Sequence, residues 1–292
     1  MAINYTFNKV SMANFIDKTE VENEDYIKVI ENNNSSACFV VCDGAGGAGV
    51  FSKEWAQYLA DKTPTTPFVS QISSKQWFYE TAKGFHDEFI STTDLSDLML
   101  SKKVYRDGSY ATFCACWLDL KAKKLYYSVI GDSFLFIFIW HEGGFIVKEI
   151  APIQNQQNFD QNPELLNWLE ESNVQMPLKE FQIEGETIIL QASDGLAKWI
   201  ILKLLLLDVG FIGELGINQS YLTSLSSEKN LLRKESMAIG SGSKSVEELL
   251  NFLKNISGDR KKFEVAMKEL YENGEIEIDD YSLIYIDVNV SE

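Results

Sequence analysis

The sequence has few of the side chains that zinc and redox sites use. Only two histidines and four cysteines occur among 292 residues. The histidines, at 86 and 141, are far apart, and the cysteines at 38, 42, 114 and 116 lie in apolar β-type runs, so the ligand spacing of a zinc site is absent. A disulfide between residues i and i+2 of a strand is strained, so we expect small buried thiols and a reducing compartment.

Positive charge and long apolar runs are also scarce. Lys and Arg number 26 against 43 Asp and Glu, which gives a net charge of −17 and excludes nucleic acid and anionic membranes as expected partners. The most apolar run, residues 199–207, contains Lys203 and is far shorter than the roughly 20 residues of a membrane span. The N-terminus has neither the basic nor the apolar region of a signal peptide. We therefore expect a cytoplasmic protein.

The stretch at residues 37–49 (ACFVVCDGAGGAG) is the most informative in the chain. An apolar β-type run ends at Asp43 and enters a loop with four glycines. It matches neither the Gly-x-Gly-x-x-Gly pattern nor a P-loop. Two interpretations stay open here: Asp43 caps a helix that starts near residues 51–52, or the loop approaches a ligand closely.

Hydrophobic periodicity predicts a mixture of strands and helices in one domain over residues 1–292. Polar segments separate them, and the longest, residues 150–180, contains a short helical pattern at 165–169 and is predicted to be a flap or insert. Strands are predicted at 4–10, 26–30, 37–42, 108–120, 124–129, 134–140, 185–192 and 275–288, and helices at 50–60, 74–92 and much of 196–270.

Acidic residues recur where predicted strands end. Several carboxylates at one sheet edge need a cation to compensate their charge, and oxygen-only ligands favour Mg²⁺ or Mn²⁺. Two such ions suit phosphate hydrolysis. For Asp132, in Gly131-Asp132-Ser133, a plain hairpin turn is an alternative. The acids are Glu24, Asp25, Asp43, Asp132, Asp194, Asp279 and Asp280.

Six short motifs, in order and spacing, resemble those of the metal-dependent type 2C (PPM) serine/threonine protein phosphatases, with bacterial-type members the nearer match. The resemblance spans nearly the whole chain. It implies an α+β fold, a four-layer α-β-β-α sandwich of two antiparallel sheets flanked by helices. The motifs are residues 23–25 (NED), 41–47 (VCDGAGG), 108–109 (GS), 131–133 (GDS), 193–195 (SDG) and 279–282 (DDYS).

The resemblance also implies a dinuclear Mn²⁺ or Mg²⁺ centre. Asp43 would bridge both metals, with the Gly44 carbonyl on one of them, while Asp194 and Asp279 would bind the other. Asp279 is preferred to Asp280 because the last motif of the family, Asp-Asn-x-Thr, aligns Asp280 with its asparagine.

Further residues have implied roles in catalysis. Glu24 would act through metal-bound water, Asp25 would support that shell, and Asp132 would bind a weaker third metal that it shares with Asp194. A water or hydroxide that bridges the two metals would then hydrolyse phosphoserine or phosphothreonine in a protein substrate. A partner serine/threonine kinase system is expected in the same signalling pathway.

The sequence departs from the family pattern at three places. Glu20 stands where the family often has a phosphate-binding arginine, with Lys18 and Arg106 as possible replacements. Ala45 replaces a histidine that bacterial-type members commonly lack, and Ala197-Lys198 follows Ser-Asp-Gly-Leu in place of the usual acid. The alternative to an active phosphatase is a phosphatase-like binding or regulatory module with weak or no catalysis.

Overall fold

The computed structural model describes residues 2–12, 23–33, 35–47, 49–152, 163–169, 175–207 and 244–289. The chain divides into two compact units, each built from separated segments. Unit 1 consists of Met1–Glu22, Phe134–Pro163 and Gly185–Glu292. Unit 2 consists of Asn23–Ser133 and Glu164–Glu184.

Unit 2 contains seven described strands: β2 (Tyr26–Asn33), β3 (Ser36–Cys42), β4 (Tyr110–Ala111), β5 (Phe113–Asp119), β6 (Lys124–Ile130), β9 (Leu166–Asn167) and β10 (Lys179–Gln182). Five of them form an antiparallel sheet in the order β10-β6-β5-β3-β2, and β4 and β9 form a two-stranded sheet. Its helices are α1 (Ser52–Lys62), α2 (Gln71–Glu88) and α3 (Leu98–Asp107), with a short 3-10 turn at Ile90–Thr92.

The core of unit 2 forms where alternate residues of β3 meet the helices. Cys38 and Cys42 face the same side of the sheet as the buried Trp55 of α1 and Phe85 of α2. The rings of Trp55 and Phe85 have centroids 5.0 Å apart. All four cysteines are buried and free, which confirms the expectation of small buried thiols.

Unit 1 contains the second five-stranded antiparallel sheet. The strands are β1 (Ala2–Ser11), β7 (Phe134–His141), β8 (Gly144–Ala151), β11 (Thr187–Ala192) and β12 (Asp280–Asn289). Their order in the sheet is β1-β12-β11-β7-β8. The core of this unit forms where the sheet packs against the apolar faces of three helices. The helices are α4 (Asp194–Leu207), α5 (Val246–Ser257) and α6 (Arg260–Glu272).

The structure confirms two antiparallel sheets flanked by helices, and it corrects three local predictions. The segment around Asp132 is not a hairpin turn, because β6 and β7 belong to different sheets. Leu166 and Asn167 form a strand, not a helix, since they pair with Tyr110 and Ala111. The last strand begins at Asp280, five residues later than predicted.

Some predictions fall outside the described residues. These include Lys18, Glu20, residues 153–162 and 170–174 of the predicted flap, and residues 208–243 of the predicted helical region. The single domain and its flap stay predictions. Among the described helices, none is both long and apolar enough to cross a membrane.

Candidate metal centre

Asp43 follows directly after β3, and its backbone is held by one residue on the neighbouring chain segment. Its N–H donates to the Thr112 hydroxyl at 2.9 Å, and its carbonyl accepts from the Thr112 N–H at 2.8 Å. Helix α1 begins after Phe51, so Asp43 does not occupy the N-cap position of that helix. The capping interpretation of Asp43 is therefore wrong, and the ligand-approach interpretation stays open.

Glu24 lies against the glycine loop that follows Asp43. A methyl group placed on Gly46 would come within 2.3 Å and 2.4 Å of the two carboxylate oxygens of Glu24. One placed on Gly44 would lie 2.8 Å from the backbone of Ser52 and 3.1 Å from the Glu24 carbonyl. Gly44 must be glycine because backbone atoms fill the space of a side chain there, whereas a side chain at Gly46 would displace the Glu24 carboxylate.

Asp25, the next residue, is fully buried at the start of β2. Tyr26 pairs with Cys42, so this acid and Asp43 stand beside the same strand pair. Burial raises the pKa of the Cys42 thiol, and the nearby charges of Cys114, Asp43 and Asp25 raise it further. Glu24, Asp25 and Asp43 thus gather at one end of the unit 2 sheet.

The Gly108-Ser109 motif has a structural role beside this loop. The Val50 N–H donates to the Gly108 carbonyl at 2.9 Å, and a methyl group on Gly49 would lie 2.5 Å from the same oxygen. The buried Ser109 hydroxyl accepts a hydrogen bond from Trp168 at 3.2 Å. The motif therefore closes the far side of the glycine loop.

Ser133, the residue after Asp132, is linked to Asp43 through Thr112. The hydroxyl groups of Thr112 and Ser133, both buried, are 2.6 Å apart and share a hydrogen bond. Asp132 immediately precedes Ser133 in the connection between the two sheets. Sequence reasoning did not identify Thr112, because a threonine in a β-type run carries no sign of which backbone its hydroxyl will contact.

Unit 1 brings together the other predicted ligands. The Ser193 hydroxyl accepts from the Ser282 N–H at 2.9 Å, which joins the end of β11 to the start of β12. A methyl group on Gly195 would lie 3.2 Å from Oδ2 of Asp279, so the Asp279 carboxylate reaches the residue next to Asp194. Asp279 Oδ1 accepts from the Asp280 N–H at 2.9 Å.

The Asp194 carboxylate is already paired with a positively charged side chain. Its Oδ2 accepts from Lys198 Nζ at 2.6 Å, and its Oδ1 accepts from the Gly195 N–H at 2.6 Å. The Lys198 and Asp194 side chains are only 23% and 17% exposed. Arg106, by contrast, is 76% exposed and bonds to Asp107 through two nitrogens, so this predicted replacement for the missing arginine is engaged elsewhere.

The chemistry of the predicted ligands suits a hard divalent ion, because every one of them offers oxygen, which Mg²⁺ and Mn²⁺ prefer. The Glu24 carboxylate lies against Gly46, beside the loop that follows Asp43. The arrangement departs from a closed metal site in two respects. Within the described ranges, no three His, Cys, Asp or Glu side chains are grouped closely enough to hold a metal ion. In addition, Asp194 is paired with Lys198.

Solved structures resemble the chain over its full length. A bacterial serine phosphatase matches at 12% identity, covers 99% of each chain and has a TM-score of 0.52. The serine/threonine phosphatase Stp1 from Staphylococcus aureus matches at 12% identity, over 99% of this chain and 96% of that one, with a TM-score of 0.50. No protein-family model matches the sequence, and no curated protein does so significantly.

The chain has the fold of the type 2C serine/threonine phosphatases. At 12% identity the likeness concerns the fold alone. The fold that the resemblance of six short motifs implied is thus confirmed.

Proposed function

We propose that the protein is a metal-dependent phosphoprotein phosphatase that hydrolyses phosphoserine or phosphothreonine. The observation that carries the proposal is the position of Glu24, Asp25 and Asp43 at one end of the unit 2 sheet, with the Glu24 carboxylate against Gly46 of the loop that follows Asp43. Like charges in a partly buried cluster are costly without a cation, so a chain with no use for a cation gains nothing by keeping them together. The shared fold supports the same conclusion.

The proposal assigns the predicted roles to residues of this chain. Asp43, the Gly44 carbonyl, Asp194 and Asp279 hold two ions, Asp132 contributes to a weaker third position, and Glu24 and Asp25 support the shell. When bound, a pair of Mg²⁺ or Mn²⁺ ions supplies positive charge for the phosphoryl group and an activated water for the attack.

The protein's own contribution is to hold the carboxylates in place before any ion arrives. Thr112 forms two hydrogen bonds with the Asp43 backbone. Ser193, which precedes Asp194, accepts from the N–H of Ser282 in β12, the strand that begins after Asp279. This rigidity lowers the ordering cost of metal binding.

The decisive experiment is hydrolysis of a phosphothreonine peptide and of p-nitrophenyl phosphate with and without Mn²⁺. We expect turnover that requires the metal and is lost in Asp43→Asn and in Asp194→Asn. Asp61→Asn is the matched control, because Asp61 is a paired carboxylate of unit 2 that bonds to Lys28. Turnover without metal, or none in the pure wild-type protein, would contradict the proposal.

A second candidate is a phosphatase-like module that binds a phosphoprotein or partner without catalysis. The Lys198–Asp194 ion pair favours it, because a resident ammonium group opposes a full set of metals. Calorimetry that shows tight phosphopeptide binding, together with no turnover at saturating Mn²⁺, would select this candidate over the enzyme.

A further inference from the structure

Lys198 and Asp194 lie one helical turn apart at the start of α4. Residues i and i+4 share a helix face, so the sequence spacing itself lets the ammonium group reach the carboxylate. The N–O distance of 2.6 Å and the low exposure of both side chains mark a close, partly desolvated pair. Water screens such a pair less than it screens an exposed one.

Both oxygens of Asp194 have a hydrogen-bond donor. Oδ2 accepts from the Lys198 ammonium group, and Oδ1 accepts from the Gly195 N–H. The second donor is a backbone group and stays in place, whereas the lysine side chain is able to move. Each oxygen keeps a second lone pair, so a cation can bind either of them, but at both positions it lies close to the Lys198 ammonium group. A double positive charge within a few ångströms of that ammonium group is strongly unfavourable, so binding to Asp194 favours displacement of the lysine.

We propose that Lys198 is the resident counter-ion of Asp194 and competes with divalent cations for it. The metal position at Asp194 then fills only when the lysine side chain swings away, so it binds more weakly than the position at Asp43. This inference rests on the proposed function, which assigns both acids to metal. It adds a residue of this chain that sets how much metal is needed to complete the centre.

The competition has a structural logic in the absence of metal. The Asp279 carboxylate reaches Gly195, the residue after Asp194, and two carboxylates on neighbouring segments repel each other without a cation. Lys198 supplies one positive charge to this group. The same lysine that opposes the metal thus stabilises the metal-free protein.

Calorimetric titration with Mn²⁺ tests the proposal without any measurement of activity. For Lys198→Met we expect the weaker binding phase to tighten by about tenfold, because one partly screened charge is removed. Lys254→Met is the matched control: Lys254 also pairs with an aspartate of unit 1 at 2.6 Å, but that aspartate, Asp287, is not a predicted ligand. We expect its affinities to stay within about twofold of wild type.

Thermal unfolding gives an independent reading. Lys198→Met should lower the melting temperature of the metal-free protein and increase the rise that Mn²⁺ produces. If this variant does not fold, Lys198→Gln keeps a neutral polar group and carries the same expectation. Lys198→Arg retains the charge and should keep the weak phase.

The outcomes separate this inference from the proposed function. Tighter Mn²⁺ binding in Lys198→Met, including binding seen only in that variant, supports the competition. Two bound ions in the wild type with unchanged or weaker binding in Lys198→Met overturns the competition and leaves the phosphatase proposal intact. No Mn²⁺ binding to either protein overturns both.

Discussion

A buried ion pair joins the helix that carries Asp194 to the connection that carries Asp279. Lys203 of α4 and Glu275, between α6 and β12, are 3.1 Å apart with side chains 4% and 3% exposed. Glu275 also accepts a hydrogen bond from Trp199 Nε1 at 3.0 Å. Loss of one partner leaves the other charge buried without compensation, which costs about 3–5 kcal/mol.

We therefore expect Lys203→Met to lower the free energy of unfolding by about 3–5 kcal/mol, and the melting temperature by about 10 °C for a protein of this size. The double variant Lys203→Met/Glu275→Met should recover most of the loss, because it removes both charges and fills the volume with apolar atoms. Circular dichroism follows both measurements: urea unfolding gives the free energy of unfolding of each variant, and a thermal scan gives its melting temperature.

The control for this cycle is Lys83→Met, which breaks an exposed ion pair with Asp87 on α2, with side chains 61% and 50% exposed. Its expected cost is below about 1 kcal/mol. The reasoning is refuted if Lys203→Met costs no more than this control, or if the double variant is as unstable as the sum of the two single variants. Either result would mean that the pair is not a desolvated unit.

Three other predictions concern the site and the core. Thr112→Val should cost about 1–3 kcal/mol and weaken Mn²⁺ binding, since it removes the acceptor of the Asp43 N–H, whereas Thr112→Ser should retain both properties. Gly46→Ala should weaken Mn²⁺ binding severalfold in calorimetry, because the added methyl group displaces the Glu24 carboxylate. Gly47→Ala is the control and should not weaken it, because a methyl group there meets nothing within 4 Å. Equal effects of the two substitutions would contradict the contact between Glu24 and Gly46. The four buried cysteines should resist a thiol-specific reagent at pH 8 in the native protein and react together on denaturation. Burial raises the pKa of thiols such as Cys42 and blocks access of the reagent. Fast labelling of the native protein would count against this prediction.

The sequence predicted most elements of the fold because their patterns are local. Alternation predicted β2, an apolar run predicted β3, and helical spacing predicted α1 and α2. Ser245 caps α5 by accepting the Glu248 N–H at 3.2 Å, which is one half of the capping box that its Ser-x-x-Glu spacing indicates. The other half of the box differs, because the Glu248 side chain accepts from Lys244 instead of Ser245. The cap itself depends on spacing along the chain, whereas the choice between two adjacent N–H groups depends on backbone geometry.

The failures have a common cause. Gly131-Asp132-Ser133 has the composition of a hairpin turn, but whether two flanking strands pair with each other depends on partners distant in sequence. The apolar residues of 165–169 show helical spacing, yet Leu166 and Asn167 within this segment pair with Ala111 and Tyr110, more than fifty residues earlier. No local pattern contains that information.

The sequence alone determined the positions of the acids, their order, the preference for oxygen-binding ions and the presence of a lysine where the phosphatase pattern has an acid. Only the tertiary structure decided that Thr112 holds Asp43, that Glu24 lies over Gly46, and that Lys198 is bonded to Asp194. Residue identity and spacing are written along the chain, but a hydrogen bond or ion pair exists only when folding brings two groups within about 3 Å of each other.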